Sequence, residues 1–463
     1  MKKTSLLQML ALIAAVLLSA CSSDNNGNSN NYVPSAQTAT VLAYFPVTNL
    51  DQGSMIQTYT LDNGTRYKMG SPNFLIKNMM SNINDTNTKV YVMAGAGNVI
   101  HDETANSDAV YYPVKDFTKN YQYKITRDNI ETLNQDTAKV SCYTGDNPVD
   151  SSAADINSCE DMGDVEVISD FFVKGIKENQ TDKYVAVFYM HGGGDVIGMG
   201  YDDYMETINA EKFGKVFERV REKLGNPDFK FDTIIMISCL MGNAVFMHTV
   251  KDYADYYIGS ESNQATEAWD LSSYMQEIGK GYDSLRAGNA ILSSYKALIE
   301  KAKLSSDINI IDLSKIEALS NAFDNMSKAM EENYNKSKTD KAKTVNNFFL
   351  SAYNALNYEN GQVDIYTFAD RIGRTNDYYT DDYTAVKNEL QAAVKNAVIS
   401  NVTSEGMYQD GKGISFETMS YYIDSNPDAM DNISFAPEYI SFVKKISYDI
   451  ISYRYSSALD ITA

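Results

Sequence analysis

Histidine, tryptophan and cysteine are scarce in this sequence, at three, one and four of 463 residues. No Cys-x-x-Cys, His-Glu-x-x-His, Gly-x-x-x-x-Gly-Lys-Ser/Thr or Gly-x-Ser-x-Gly occurs, which argues against dithiol redox, zinc peptidase, phosphate-loop and serine-elbow chemistry. Positive charge is also short. The 40 basic side chains stand against 61 acidic ones, for a formal charge of −21. A surface of that sign repels phosphate backbones and anionic membranes, so no nucleic-acid partner is expected and cationic peptides suit it better. Long apolar runs are missing too: Leu6 to Leu18 falls short of the about 20 residues that a membrane-spanning helix needs.

That short run has a different use. Lys2 and Lys3 precede it, and Leu18-Ser19-Ala20-Cys21 follows in the pattern of a lipobox, so residues 1–20 are predicted to be a lipoprotein signal peptide with Cys21 as the acylated N-terminus. An ordinary secretory signal with an incidental cysteine is the competing reading. Residues 21–37 have the Ser/Asn/Gly composition of a flexible tether. The expected location is therefore outside the cytoplasm, on an outer membrane or cell surface, with the lipid as the only contact with the bilayer. In such an oxidising compartment Cys142 and Cys159 can close a disulfide, although two reduced loop cysteines fit the letters equally well. Either way Cys239 is left as a free thiol.

The chemistry concentrates between Tyr184 and Asn243. Tyr184-Val-Ala-Val-Phe-Tyr-Met ends at His191-Gly-Gly-Gly, and Phe231-Asp-Thr-Ile-Ile-Met-Ile-Ser ends at Cys239. Between the two runs, Phe213, Val216, Phe217, Val220 and Leu224 recur at helical spacing until Gly225 and Pro227 stop them. Strand, helix, strand makes two parallel strands, with His191 and Cys239 leaving at one carboxyl edge of the sheet, where open α/β sheets carry their sites. An imidazole and a helix start just after Cys239 would favour a thiolate, and glycine amides could receive an oxyanion. A buried inert cysteine and a loop histidine are the bland alternative, weakened by the rarity of histidine and by the three glycines beside this one.

These residues, with their surroundings, resemble the clostripain-like cysteine peptidases, a caspase-related family that uses a His-Gly-Gly histidine and a cysteine in an Asp-Ala-Cys-Leu-Met-Gly-Asn-like motif. The matching blocks are Glu160 to Asp164, Asp182 to Tyr184, Cys239 to Asn243, Lys251 to Tyr256 and Ser260-Glu261, with weaker echoes at Thr40 to Tyr44 and at Gly411 to Phe416. The resemblance implies a caspase-like α/β/α sandwich with a mainly parallel sheet, and endopeptidase activity through Cys239 and His191 with Gly192 at the oxyanion. It also implies cleavage after Arg or Lys. Two departures bear on that last point. Ile237 stands where the family usually has Asp, two residues before the cysteine, and Val245 stands where it has Glu. Glu267, ahead of Trp269-Asp270, is then the carboxylate left for a cationic side chain, with Ile237 as a changed pocket wall.

The rest of the chain reads as support. Thr40 to Val47 and Lys89 to Ala94 are predicted strands around a helix at Pro72 to Ile83, and Asp164 caps a helix that buries Ile168, Phe171, Phe172 and Ile176. Residues 38–282 are expected to form the catalytic domain and residues 283–463 a mainly helical region packed on it, including Gln362 to Ile372, Tyr383 to Ile399 and Pro437 to Tyr453. His101 and His248 are read as structural. No cofactor is expected. Asp195, Asp202 and Asp203 could hold calcium, but their spacing matches no calcium loop. The competing function is a peptidase-fold lipoprotein that binds or scaffolds at the surface with little catalysis, a reading that Ile237 and Val245 favour.

Overall fold

The long strands read as unbroken apolar runs because they are covered on both sides. All seven residues of β1 (Ala39–Phe45) are buried. Leu42 and Tyr44 enter one core, while Val41, Ala43 and Phe45 enter the other. The computed structural model describes residues 37–46, 57–60, 66–69, 71–95, 110–111, 119–141, 159–200, 205–264, 268–375, 378–379, 383–406, 408–418 and 433–460.

Nine strands form the main sheet. After β1 come β2 (Thr88–Ala94), β3 (Tyr121–Ile125), β4 (Ile130–Thr132), β5 (Lys183–Tyr189), β6 (Phe231–Ile237), β7 (Ala254–Gly259), β8 (Asp307–Asp312) and β9 (Val398–Thr403). Their spatial order is β9-β8-β7-β6-β5-β1-β2-β3-β4. The five central strands, from β2 to β7, run parallel, and antiparallel pairs finish each side. β5 and β6 are direct neighbours, paired from Val185 with Thr233 to Tyr189 with Ile237. The residues that follow them therefore leave the sheet side by side.

Helices α1 (Ser71–Ser81), α5 (Leu271–Ile278) and α6 (Ser284–Ala302) cover the face of Val41 and Val187. Helices α2 (Val165–Glu178), α3 (Ala210–Leu224) and α4 (Ala244–Val250) cover the other. Their limits follow local chemistry: Asp164 accepts the Glu166 N–H at the start of α2, and Gly225 ends α3 in the left-handed conformation. Rings lock α2 and α3 to the sheet, Phe172 meeting Phe188 at 5.5 Å and Phe231 at 5.4 Å between centroids. Truncating such a buried ring costs about 3–5 kcal/mol. The expected α/β/α sandwich with a mainly parallel sheet is what the chain forms.

The region after residue 283 is less separate than its letters suggest. It supplies α7 (Ile316–Lys336), α8 (Lys338–Asn354), α9 (Ile365–Arg371), α10 (Thr384–Ala397) and α11 (Pro437–Asp460), but also strands β8 and β9 of the main sheet. Gln362–Asp364, read as the start of a helix, is instead a strand paired with Ser415–Glu417. Val398 and Ile399, read as the tail of a helix, open β9. No proline or glycine separates Ala397 from Val398, so the sequence carries no breaker there; the partner strand β8 decides the matter by pairing.

Candidate active site

His191 lies two residues past the end of β5 and is half-buried. Its loop folds back on itself: Gly193 N–H donates to Gly198 O at 2.8 Å and Gly200 N–H to His191 O at 3.0 Å. Gly192 has no room for a side chain, because a Cβ there would lie 2.1 Å from the carbonyl oxygen of Cys239. The backbones carrying His191 and Cys239 are thus packed against each other. Burial holds the His191 imidazole below the ordinary histidine value, so the neutral base is favoured.

Cys239 is a free, half-buried thiol one residue beyond Ser238, at the end of β6. No helix starts at Leu240. That residue takes a left-handed φ of 60°, and α4 begins only at Ala244, where Asn243 accepts from the N–H groups of Val245 and Phe246. The expected helix start beside the sulfur is therefore replaced by a tight loop. Its braces come from distant chain: Leu240 N–H donates to Ser262 O at 3.1 Å and Ser415 N–H to Gly242 O at 2.8 Å. The sulfur itself accepts from the Gln264 N–H at 3.2 Å. Burial pushes the Cys239 thiol up, the Gln264 N–H pulls it down, and the negative charge of Glu359 pushes it up again. Both shifts favour the neutral forms, thiol and imidazole.

Asn243 ties the two loops to the C-terminal region. Its side-chain amide donates to Asp195 Oδ1 at 3.0 Å and to Gln362 Oε1 at 2.8 Å, and Gln362 Nε2 donates to the same Asp195 oxygen at 2.7 Å. Asp195 is thereby committed to structure. Among the described residues no cluster of three or more His, Cys, Asp or Glu is arranged to hold a metal ion. Asp202 and Asp203 lie outside the described residues, as do Cys21, His101, Cys142 and Glu267.

Behind the cysteine loop sits a buried group of carboxyls. Asp307 accepts from Ser260 Oγ and the Glu261 and Ser262 N–H groups at 2.9–3.0 Å. Glu261, fully buried, accepts from Gly413 N–H and the Tyr358 hydroxyl through Oε2. Desolvation, then the charges of Asp364 and Asp307, hold the Glu261 carboxyl well above the usual carboxylate range. The other Glu261 oxygen, Oε1, is buried without a hydrogen-bond partner, and the Asp364 carboxyl is also raised by burial. This arrangement holds the Ser260–Ser262 backbone against the cysteine loop.

The clostripain family model, for peptidases of class C11, matches residues 76–451. The chain belongs to the clostripain family. No curated protein sequence matches it. Solved structures share the fold, three of them over most of both chains. An inactive zymogen of a C11 protease from Parabacteroides distasonis is 13% identical, covering 88% of this chain and 99% of that one, with a TM-score of 0.55. A secreted C11 cysteine protease from Bacteroides thetaiotaomicron with an irreversible peptide inhibitor is 14% identical over 87% of this chain and 99% of that one, at 0.53. A further structure of a secreted C11 cysteine protease from that organism gives 13%, 88%, 100% and 0.54.

Within this family member the residues singled out by sequence fare differently. His191, Gly192 and Cys239 come together at the carboxyl edge. Ile237, expected as a pocket wall, is instead a core residue 1% exposed, packed on the Trp269 and Tyr295 side of the sheet, because β6 is covered on both faces to its last residue. Val245 likewise lies in the opposite core. His248 bonds Ser434 and Glu317, a structural role. Cys159 is disulfide-bonded, and its expected partner Cys142 lies outside the described residues. Gln264, Glu359 and Gln362 escaped the sequence reading. None belongs to a motif, and only the fold brings them to the loops.

Proposed function

We propose that the chain is an extracytoplasmic cysteine endopeptidase in which Cys239 attacks the scissile carbonyl and His191 manages the proton. The observation that carries this reading is the contact of Gly192 with the Cys239 carbonyl, which makes one continuous surface of the two loops. On that surface the thiol proton passes to the imidazole as sulfur bonds the carbonyl carbon, and the imidazolium returns it to the departing amine. Water then hydrolyses the thioester. The N–H groups of Gly192 and Cys239 receive the oxyanion; the hydrogen bonds of the histidine loop use Gly193 and Gly200 and leave Gly192 out.

The finer parts of the proposal are preference for Arg or Lys and a lipid anchor at Cys21. With Ile237 and Val245 in the core, a cationic side chain would be met by Glu267 and by Glu359, whose charge is felt at the thiol. The peptide-inhibitor complex of the Bacteroides protease supports a peptide substrate. No helix among the described residues is long and apolar enough to cross a membrane. Cys21→Ser would then move the protein from the membrane fraction to the soluble one.

The decisive experiment incubates a mixed peptide library with the chain from about residue 37 and with its Cys239→Ala variant, reading products by mass spectrometry. Cleavage that vanishes in the variant supports the peptidase. Loss of the Arg or Lys preference alone removes only the specificity. Absence of cysteine-dependent cleavage, with the chain intact and no processed form, moves the assignment to a zymogen or to a binding or scaffold lipoprotein.

A further inference from the structure

The thiol of Cys239 lacks the helix start that its sequence promises, yet one backbone donor is aimed at it. That donor is the N–H of Gln264, 3.2 Å from the sulfur. Gln264 belongs to the connection after β7, a segment without regular structure. Its side chain is nevertheless held at every polar atom. Oε1 accepts from Trp269 Nε1 at 2.6 Å and from the Tyr295 hydroxyl at 3.1 Å, and Nε2 donates to the Asp307 carbonyl at 3.2 Å. Trp269 and Tyr295 are themselves fully buried and meet edge to face at 5.8 Å.

We infer that Gln264 is a positioning residue, whose clamped side chain holds its own amide N–H on the Cys239 sulfur and so steadies the thiolate as it forms. A loop amide would otherwise relax away from a neutral thiol, a weak acceptor, and return only after the charge had developed. Fixing the amide in advance removes that reorganisation. The clamp draws on α6 and β8 as well as on the β7 connection, so the amide is as rigid as the sandwich core. This inference rests on Cys239 being the nucleophile.

The test follows alkylation of Cys239 by iodoacetamide as a function of pH, with the folded state checked by thermal unfolding. In Gln264→Ala the midpoint of the alkylation profile should rise by about one pH unit, the scale of one lost hydrogen bond to an anion. Trp269→Phe keeps an apolar ring and removes one of the side-chain donors; its midpoint should rise in the same direction by less. A folded Gln264→Ala with the unaltered midpoint overturns the inference, and so does a Trp269→Phe midpoint unchanged where Gln264→Ala fails to fold. Absence of cysteine-dependent peptide cleavage by the parent chain, with Cys239 still open to alkylation, defeats the peptidase reading instead.

Discussion

The two loops at the carboxyl edge are built on opposite plans. The histidine loop is closed mainly by its own neighbours, with backbone hydrogen bonds within residues 191–200 and between Met199 and Ile208, and a distant tie only through Asp195 to Asn243 and Gln362. The cysteine loop is closed by Ser260, Ser262, Gln264, Gln362 and Ser415, drawn from three later parts of the chain. A local loop keeps its shape whatever happens elsewhere, whereas a loop braced at a distance inherits the stability of every brace. Reactivity of Cys239 is therefore the more fragile property of the site, and position of His191 the more robust.

The comparison breaks first at the histidine. His191→Asn should leave the loop and the unfolding temperature in place while peptide hydrolysis falls about 10²–10⁴-fold, the scale of a lost general base; a smaller loss in steady-state assays would mean that another base serves Cys239. Next comes the brace shared by both loops. Asn243→Ala removes the cap of α4 and leaves Asp195 and Gln362 short of a partner, a loss of about 2–3 kcal/mol in denaturant unfolding. If the plans differ as described, cysteine alkylation changes with it while the histidine loop keeps its amide-exchange protection.

The carboxyls behind the loop sharpen the contrast through pH. Glu261 keeps its proton when folded and gives it up near its ordinary value of about 4.3 when unfolded. Between those two values the folded state binds one more proton, so stability is fullest below about pH 4.3 with respect to this group and declines as pH rises, by about 1.4 kcal/mol per unit, until the folded group ionises. Glu261→Gln keeps the acceptor for Gly413 and Tyr358 and should flatten that part of the stability profile measured by urea unfolding from pH 5 to 8. The smallest effect is expected at Glu359, whose negative charge opposes ionisation of the thiol. Glu359→Gln should raise the alkylation rate of Cys239 at pH 8 by about two- to three-fold through a lowered thiol value, while cleavage after Arg or Lys weakens if this carboxylate meets the cation.

What was legible in the sequence follows the same division. The central strands and helices α2 and α3 show in the letters because burial on both faces leaves apolar runs and one apolar stripe, with Asp164 and Gly225 as local stops. His191 and Cys239 were visible as abrupt polar ends of such runs. Ile237 was misplaced because β6 is covered on both faces, so a strand position two residues before Cys239 is buried whichever side it takes. The helix expected after Leu240 failed on a single left-handed residue that no glycine announces. Gln264, Gln362 and β9 were illegible for one physical reason: each is fixed by partners far along the chain, and no local pattern records a distant hydrogen bond.

The bond from Ser415 to Gly242 also sets an order in time. A ribosome adds about 5–20 residues per second, so the last brace of the cysteine loop is made roughly ten to forty seconds after Cys239 itself. Throughout that interval the nascent chain carries its reactive residues without the surround that aligns them. The cysteine loop has its full set of braces only when nearly all of the chain has emerged.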